Sequence, residues 1–176
     1  MSLSDAIKTE GTAGDTWGTP QDVFNEIVSD FFMEKYPFDP CPNHKRLLDG
    51  AITHLEEAKY DGLLEPWDDY NVFVNPPFSD IAPWVEKADK KRDPDQKVIL
   101  LLPVRSDQPW FFNCSQEAEL IFIRGRVNYV DINSTKKSRA SFPSMLMIFG
   151  PDTQEGFGVW WPKCHRDRKK GKKGTP

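Results

Sequence analysis

Apolar residues first recur at helical spacing over Gln21–Phe32, where Val23, Phe24, Ile27, Val28, Phe31 and Phe32 share one stripe. Thr19 is the expected cap of that helix and Pro20 sits in its first turn. The pattern then changes to short apolar runs. Strands are expected ending at Pro37-Phe38-Asp39-Pro40, near Ala51–Leu55 and over Asn71–Val74. Ile81–Lys91 returns to helical spacing, and Lys97–Pro103, Leu120–Ile123 and Met145–Phe149 supply three more apolar strands. Lys97–Pro103 has almost no polar interruption, as expected of a strand covered on both faces. Strands alternating with helices predict an α/β fold with a mainly parallel central sheet and helices on both faces. In such sheets ligands gather beyond the carboxyl ends of the strands. Both Phe38-Asp39-Pro40 and Val74-Asn75-Pro76-Pro77 fall at such ends, so one cleft is expected to unite them.

The run Asn71-Val-Phe-Val-Asn-Pro-Pro-Phe78 carries the most distinctive chemistry. Each proline fixes φ and removes an N–H, so Asn75, Pro76 and Pro77 present acceptor oxygens in a rigid array. That array suits a planar exocyclic amine. Phe78 either offers such an amine's ring a stacking face or packs beneath the turn as a core residue.

Length and composition fit one folded unit. At 176 residues and 38% hydrophobic content the chain can bury one sizeable core, with no room for a separate target-recognition domain. No apolar run approaches the roughly 18 residues that span a bilayer, and the first residues lack a signal peptide's pattern. Cys41, Cys114 and Cys164 are odd in number and widely spaced, which argues against a disulfide framework and for thiols in a reducing compartment. Cys41 with His44 and Cys164 with His165 offer four soft ligands, but nothing in their spacing brings them together, and no metal is expected. The net charge of −4 is unevenly distributed: residues 163–176 carry +6, leaving −10 on residues 1–162. The expected organisation is therefore a domain over 1–162 and a basic, disordered tail over 163–176. Such a tail either attracts phosphates irrespective of sequence or simply aids solubility.

Asn75-Pro76-Pro77-Phe78 resembles the catalytic motif of amino-group methyltransferases that use S-adenosylmethionine, whose substrates include adenine N6, cytosine N4 and protein glutamine amides. Together with Asp15-Thr-Trp-Gly-Thr-Pro-Gln-Asp-Val-Phe24, Phe38–Pro42, Asp61-Gly-Leu63, Trp67 and Trp84, it resembles the phage-type DNA N6-adenine methyltransferase (Dam) family. Arg124-Gly-Arg126-Val and Ser138–Ser144 are similar to that family's later segments, so the likeness runs over about residues 15–150.

This resemblance implies a Rossmann-like S-adenosylmethionine-dependent methyltransferase fold and methyl transfer to the N6 amine of a flipped adenine in double-stranded DNA. It implies no membrane, no obligate protein partner, and the cytoplasm of a bacterial host, with a phage or prophage gene. Asn75, Pro76, Pro77 and Phe78 take the catalytic roles. Asp39, Pro40 and Cys41 replace the missing Gly-rich loop near the methionine part of the cofactor, unless they are only a Pro-rich turn. Asp61 and Leu63 lie where a carboxylate accepts from the cofactor's adenine amine; an ordinary Asp-Gly turn is the alternative. Trp17, Thr19 and Pro20 close over the cofactor, or merely cap a helix.

For DNA contact the candidates are Arg105, Arg124, Arg126, Lys136, Lys137 and Arg139, which fall near strand ends or in the polar loop Asp131–Ser141. The same cations could only offset the acidic surface. Trp84, Trp110, Trp160 and Trp161 read as packing residues, and His44, His54 and His165 carry no assigned chemistry. Two rival readings remain: a methyltransferase of a protein glutamine or another nucleic-acid amine, and a non-catalytic nucleic-acid-binding relative.

Overall fold

Two strands without a single exposed residue form the middle of the molecule: β3 (Val98–Pro103) and β7 (Ser144–Phe149), paired antiparallel over six positions from Val98↔Phe149 to Pro103↔Ser144. Unbroken apolar runs of this kind can exist only where both sheet faces are covered. The computed structural model describes residue 15 and residues 17–42, 48–53, 61–67, 70–90, 94–131, 133, 136–154 and 156–170, leaving aside the side chains of 167–170.

Beside β3 lies β2 (Val72–Val74), parallel to it; beside β7 lies β4 (Glu119–Ile123), antiparallel to it; β8 (Gly156–Trp160) forms the far edge, parallel to β4. The order β2-β3-β7-β4-β8 is therefore mixed, not mainly parallel as the alternation of elements predicts. One strand accounts for the difference. β2, β3, β4 and β8 share a direction, and β7 alone is reversed. Its first residue, Ser144, pairs with the last residue of β3, so the chain re-enters the sheet at the edge where β3 and β4 leave it. An antiparallel return from the same edge needs no crossover helix.

A second sheet, wholly antiparallel, is made by β1 (Trp17–Gly18), β5 (Asn128–Asp131) and β6 (Lys137–Arg139) in the order β1-β5-β6. Beyond β2, Phe38 makes single parallel bridges to Val72 and Ile52. These replace the two strands expected at Pro37–Pro40 and Ala51–Leu55, of which residues 54 and 55 lie outside the described residues. Pro37 and Pro40 supply no N–H, so the ladder around Phe38 cannot lengthen.

Helix α1 (Gln21–Phe31) buries Val23, Phe24, Ile27 and Val28, and the Phe24 ring meets Phe73 of β2 edge-on at 5.2 Å. Its N-cap is Pro20, not Thr19, and no side chain caps it; the Thr19 hydroxyl is buried without a hydrogen-bond partner. α2 (Ala82–Lys90) sits against α3 (Pro109–Cys114), a short helix that Pro109 opens. Lys87 of α2 is buried, with its ammonium over the Trp67 ring and donating to the carbonyls of Gly62, Leu63 and Glu65. Those bonds fix the 61–67 loop. Lys163–Lys170, expected as the start of a disordered tail, forms helix α4. Glu26 of α1 accepts the N–H groups of Lys163 and Cys164 at the start of α4, and Asp30 accepts Trp160 Nε1–H at 2.9 Å. A carboxylate there satisfies orphan donors at the positive end of the helix. Residues 171–176 lie outside the described residues. Among the described residues no helix is long and apolar enough to cross a membrane.

Phe73 couples α1 to the strand that leads into Asn75. Phe73→Ala is expected to cost about 3–5 kcal/mol, the range for emptying a buried Phe site, as read from the urea midpoint at unchanged m-value.

Candidate active site

β2 ends at Val74, so Asn75 is the first residue beyond the sheet, and the parallel bridge at Phe38 delivers Asp39 to the same edge. β1 crosses nearby. These three segments line one cleft: Asp15, Trp17, Gly18 and Thr19 on one side, Asp39, Cys41, Pro42 and Leu48 on another, and Asn75, Pro76 and Pro77 between. The cleft is open to solvent at its mouth.

The orientation of the Asn75 amide follows from chemistry. Nδ2 donates to the Trp17 carbonyl at 2.9 Å, and a carbonyl can only accept, so the NH₂ group must face Trp17. That leaves Oδ1 on the other side, buried and without a hydrogen-bond partner. A buried acceptor left unpaired costs about 1–3 kcal/mol, so its presence in a cleft points to a donor that arrives with a ligand. The Thr19 hydroxyl, only 4% exposed, is a second such atom in the same cleft.

Asp39 is 6% exposed, and its Oδ1 accepts the Cys41 N–H at 2.9 Å. Burial pushes its carboxyl up to about 7, against the opposing pull of the Cys41 hydrogen bond.

Of the residues expected at the site, Asn75, Pro76, Pro77, Trp17, Thr19, Asp39 and Cys41 meet in the cleft. Pro20 and Pro40 stand next to it in sequence but do not line it. Asp61 and Leu63 are also outside the lining. Asp61 Oδ1 instead accepts the Leu63 N–H at 2.9 Å, and its carbonyl accepts those of Leu64 and Glu65, the pattern of an Asx turn. The turn is pressed so closely on Pro40 that a Cβ on Gly62 would stand 2.0 Å from the Pro40 carbonyl oxygen.

Phe78 requires a correction. Its ring is 4% exposed and packs edge-on against Tyr129 at 5.6 Å and Phe142 at 5.5 Å, so it supports the turn from the core and presents no stacking face to the cleft. A Phe between two aromatic neighbours gains more from burial than it would in solvent.

The cations divide into three groups. Arg105, just beyond β3, is exposed and donates from Nη1 to the Phe78 carbonyl at 2.9 Å. Arg124, just beyond β4 on the same sheet edge, stacks its guanidinium 4.1 Å from the Trp161 ring centre, and Arg126 has a buried Nη1 without a hydrogen-bond partner. Lys137 and Arg139 on β6 are exposed together with Lys136 just before it, and Lys137 lies 3.9 Å from Asp22. Gly18 and Pro42 line the cleft within the two segments expected around the cofactor, and Asp15 and Leu48 line it with no role expected from the sequence. Asp15 carried a signal there, two positions before Trp17; Leu48 carried none. Cys41 lies in the cleft and Cys164 on α4, while His44 and His54 lie outside the described residues. Among the described residues no three metal-binding side chains cluster.

Over residues 6–172 the chain matches the family described as DNA N-6-adenine-methyltransferase (Dam). It is 27% identical over 153 residues to the DNA N-6-adenine-methyltransferase of Haemophilus phage HP1 (strain HP1c1), covering 84% of this chain and 86% of that one. No solved structure matches the chain.

The environment of Asp39 generates a pH dependence of definite sign. Between its ordinary 3.8 and about 7 the folded chain keeps a proton that the unfolded chain releases. This group's contribution to stability is thus complete at low pH and is lost as pH rises to about 7. Asp39→Asn, which keeps the acceptor for Cys41, is expected to exceed the parent's stability above pH 7 by about 2–4 kcal/mol. The gap should close toward pH 4, as paired urea titrations will show.

Proposed function

The chain belongs to the DNA N-6-adenine-methyltransferase (Dam) family, and from that premise we propose that it transfers a methyl group from S-adenosylmethionine to the N6 amine of an adenine in double-stranded DNA. The observation that carries this reading is Asn75 Oδ1, a buried acceptor without a partner at the tip of a strand, in a cleft it shares with Asp39. The phage relative named for the same reaction supports it.

Four strands that run alike, with β7 reversed between them, support reading this mixed α/β fold as Rossmann-like. The cleft has the chemistry for the cofactor: a buried hydroxyl on Thr19, an acid on Asp39 and an aromatic wall at Trp17. Bound there, S-adenosylmethionine supplies an electrophilic methyl on a positive sulfur. Thr19, Asp39 and Cys41 would hold it, and a cation near Asp39 would favour the ionised acid.

Asn75 Oδ1 and the Pro76 carbonyl accept the two amine hydrogens, which directs the nitrogen lone pair away from the ring plane and toward the methyl group. Holding the amine in that pose supplies much of the rate, and no strong base is required. The proton lost after transfer passes to water. An adenine within a duplex cannot reach a cleft of this kind, so the base is taken out of the stack. With Phe78 sealed in the core, the prolines and Trp17 remain to contact the extruded ring. Lys136, just before β6, Lys137 and Arg139 on it, and Arg124 on the sheet edge meet phosphates, a sequence-independent attraction that weakens with salt.

The deciding experiment is transfer of labelled methyl to unmethylated DNA followed by nuclease digestion, with N6-methyladenine as the expected product. Cofactor binding without label in DNA would defeat the reading. Asn75→Ala is expected to leave cofactor affinity within a few-fold by calorimetry while nearly abolishing transfer. Replacing Lys136, Lys137 and Arg139 together with alanine is expected to reduce the slope of log affinity against log salt by about 3, measured by fluorescence anisotropy on duplex DNA. An unchanged slope would remove β6 from the interface.

A further inference from the structure

We infer that Asp15 is a positioning residue for methyl transfer, gripping the Asn75–Phe78 turn through Ser79 while its neighbour Trp17 grips the same turn through Asn75. The inference rests on the reading of Asn75 as the acceptor of the reacting amine. Its geometry is direct. Asp15 Oδ1 accepts the Ser79 N–H at 3.1 Å and Oδ2 accepts the Ser79 hydroxyl at 2.8 Å. Two residues along, the Trp17 carbonyl accepts from Asn75 Nδ2 at 2.9 Å. One short segment therefore holds both ends of the five-residue stretch that carries the acceptors.

The need for such a grip follows from the two prolines. Pro76 and Pro77 have no N–H, so the turn cannot be held by its own backbone donors at its centre. Arg105 supplies one brace from the β3 side, at the Phe78 carbonyl, and the Asp80 N–H closes on the Pro77 carbonyl at 3.1 Å. The cofactor side of the turn is braced by Asp15, whose bonds to Ser79 involve an ionised acceptor and are correspondingly strong. Asp15 also lines the cleft, so it links the wall around the cofactor to the turn around the amine. The Trp17 carbonyl cannot be removed by substitution, which leaves Asp15 and Ser79 as the accessible handles. Loss of the grip frees the far end of the turn, and a displacement of about 1 Å in a reacting pose costs about 10²-fold in rate.

The test is single-turnover methyl transfer to DNA by the full chain and its Asp15→Ala, Ser79→Ala and doubly substituted forms, with cofactor affinity measured by calorimetry on the same samples. Each single change is expected to lower the rate per cofactor-binding molecule about 10- to 100-fold while affinity stays within a few-fold. The double change is expected to be no slower than the slower single, because both remove one interaction. Asp15→Asn keeps an oxygen for the Ser79 N–H and should fall between Asp15→Ala and the parent; with Ser79→Ala it carries the test if Asp15→Ala fails to fold. A merely structural role would lower the thermal midpoint and the active fraction but leave the rate per cofactor-binding molecule unchanged, and that result overturns the inference. Losses that multiply in the double variant overturn it too. A parent chain that methylates no DNA sinks this inference together with the proposed function, whereas an active parent with fully active Asp15 and Ser79 variants sinks this inference alone.

Discussion

Two consecutive prolines after β2 place a constraint on everything around them. A turn without central N–H groups is rigid in φ but has few ways to anchor itself, so its position must be set by groups reaching in from elsewhere. Trp17 reaches the Asn75 amide, Asp15 reaches Ser79, and Arg105 reaches the Phe78 carbonyl. Beneath, Phe78 sits against Tyr129 and Phe142, and Tyr129 is itself tied to Ser144 at the start of β7. The anchors come from well-separated parts of the chain, the Asp15–Trp17 segment, Arg105 and the Tyr129–Phe142 pair, so the turn is correctly placed only when the whole fold is.

The reversed strand β7 serves the same end. Because the chain re-enters the sheet at the edge where β3 and β4 leave, that edge gathers Asn75, Arg105 and Arg124 as well as the β5–β6 excursion between them. Burial at the gathered edge has a cost visible in Asp39, whose carboxyl is pushed up to about 7 by removal from water. A carboxylate held in such surroundings is poorly solvated in its charged form and correspondingly sensitive to a cation placed beside it.

The parts of this fold most legible in the sequence were those governed by burial alone. The stripe from Val23 to Phe32 and the runs ending at Val74, Pro103, Ile123 and Phe149 all became the helix and strands their patterns indicate. What the pattern could not convey was direction. A fully buried strand reads the same whether it runs with or against its neighbours, so β7 was indistinguishable from a parallel strand. The small sheet was hidden for another reason: β6 is exposed at every position and β1 is two residues long, so neither has an apolar period to detect. The site was legible where chemistry is local. Asn75 and Asp39 announced themselves as polar groups just beyond apolar runs. Phe78 took the core position because the fate of an aromatic ring depends on what packs against it, whereas Asp61 adopts the local Asp-Gly turn. Tyr129 and Phe142, distant in sequence, claimed Phe78; the Leu63 N–H claimed Asp61.

The small sheet joins the two halves of the proposed site. Trp17 and Gly18 line the cleft, and the same two residues pair with Asp131 and Val130 of β5. Val130 in turn pairs with Lys137, and Asn128 with Arg139, on the exposed strand that carries the basic side chains. Backbone hydrogen bonds across three strands thus separate the wall of the cleft from the basic edge. A sheet transmits position through its ladder more faithfully than a loop does, since shifting one strand by a residue would turn every side chain to the other face. A phosphate backbone held along β6 is therefore held in fixed relation to Trp17, and through the Trp17 carbonyl to Asn75. In the proposed reaction the strand that walls the cleft thus belongs to the sheet that would hold the DNA, so the acceptor and the basic edge share one ladder.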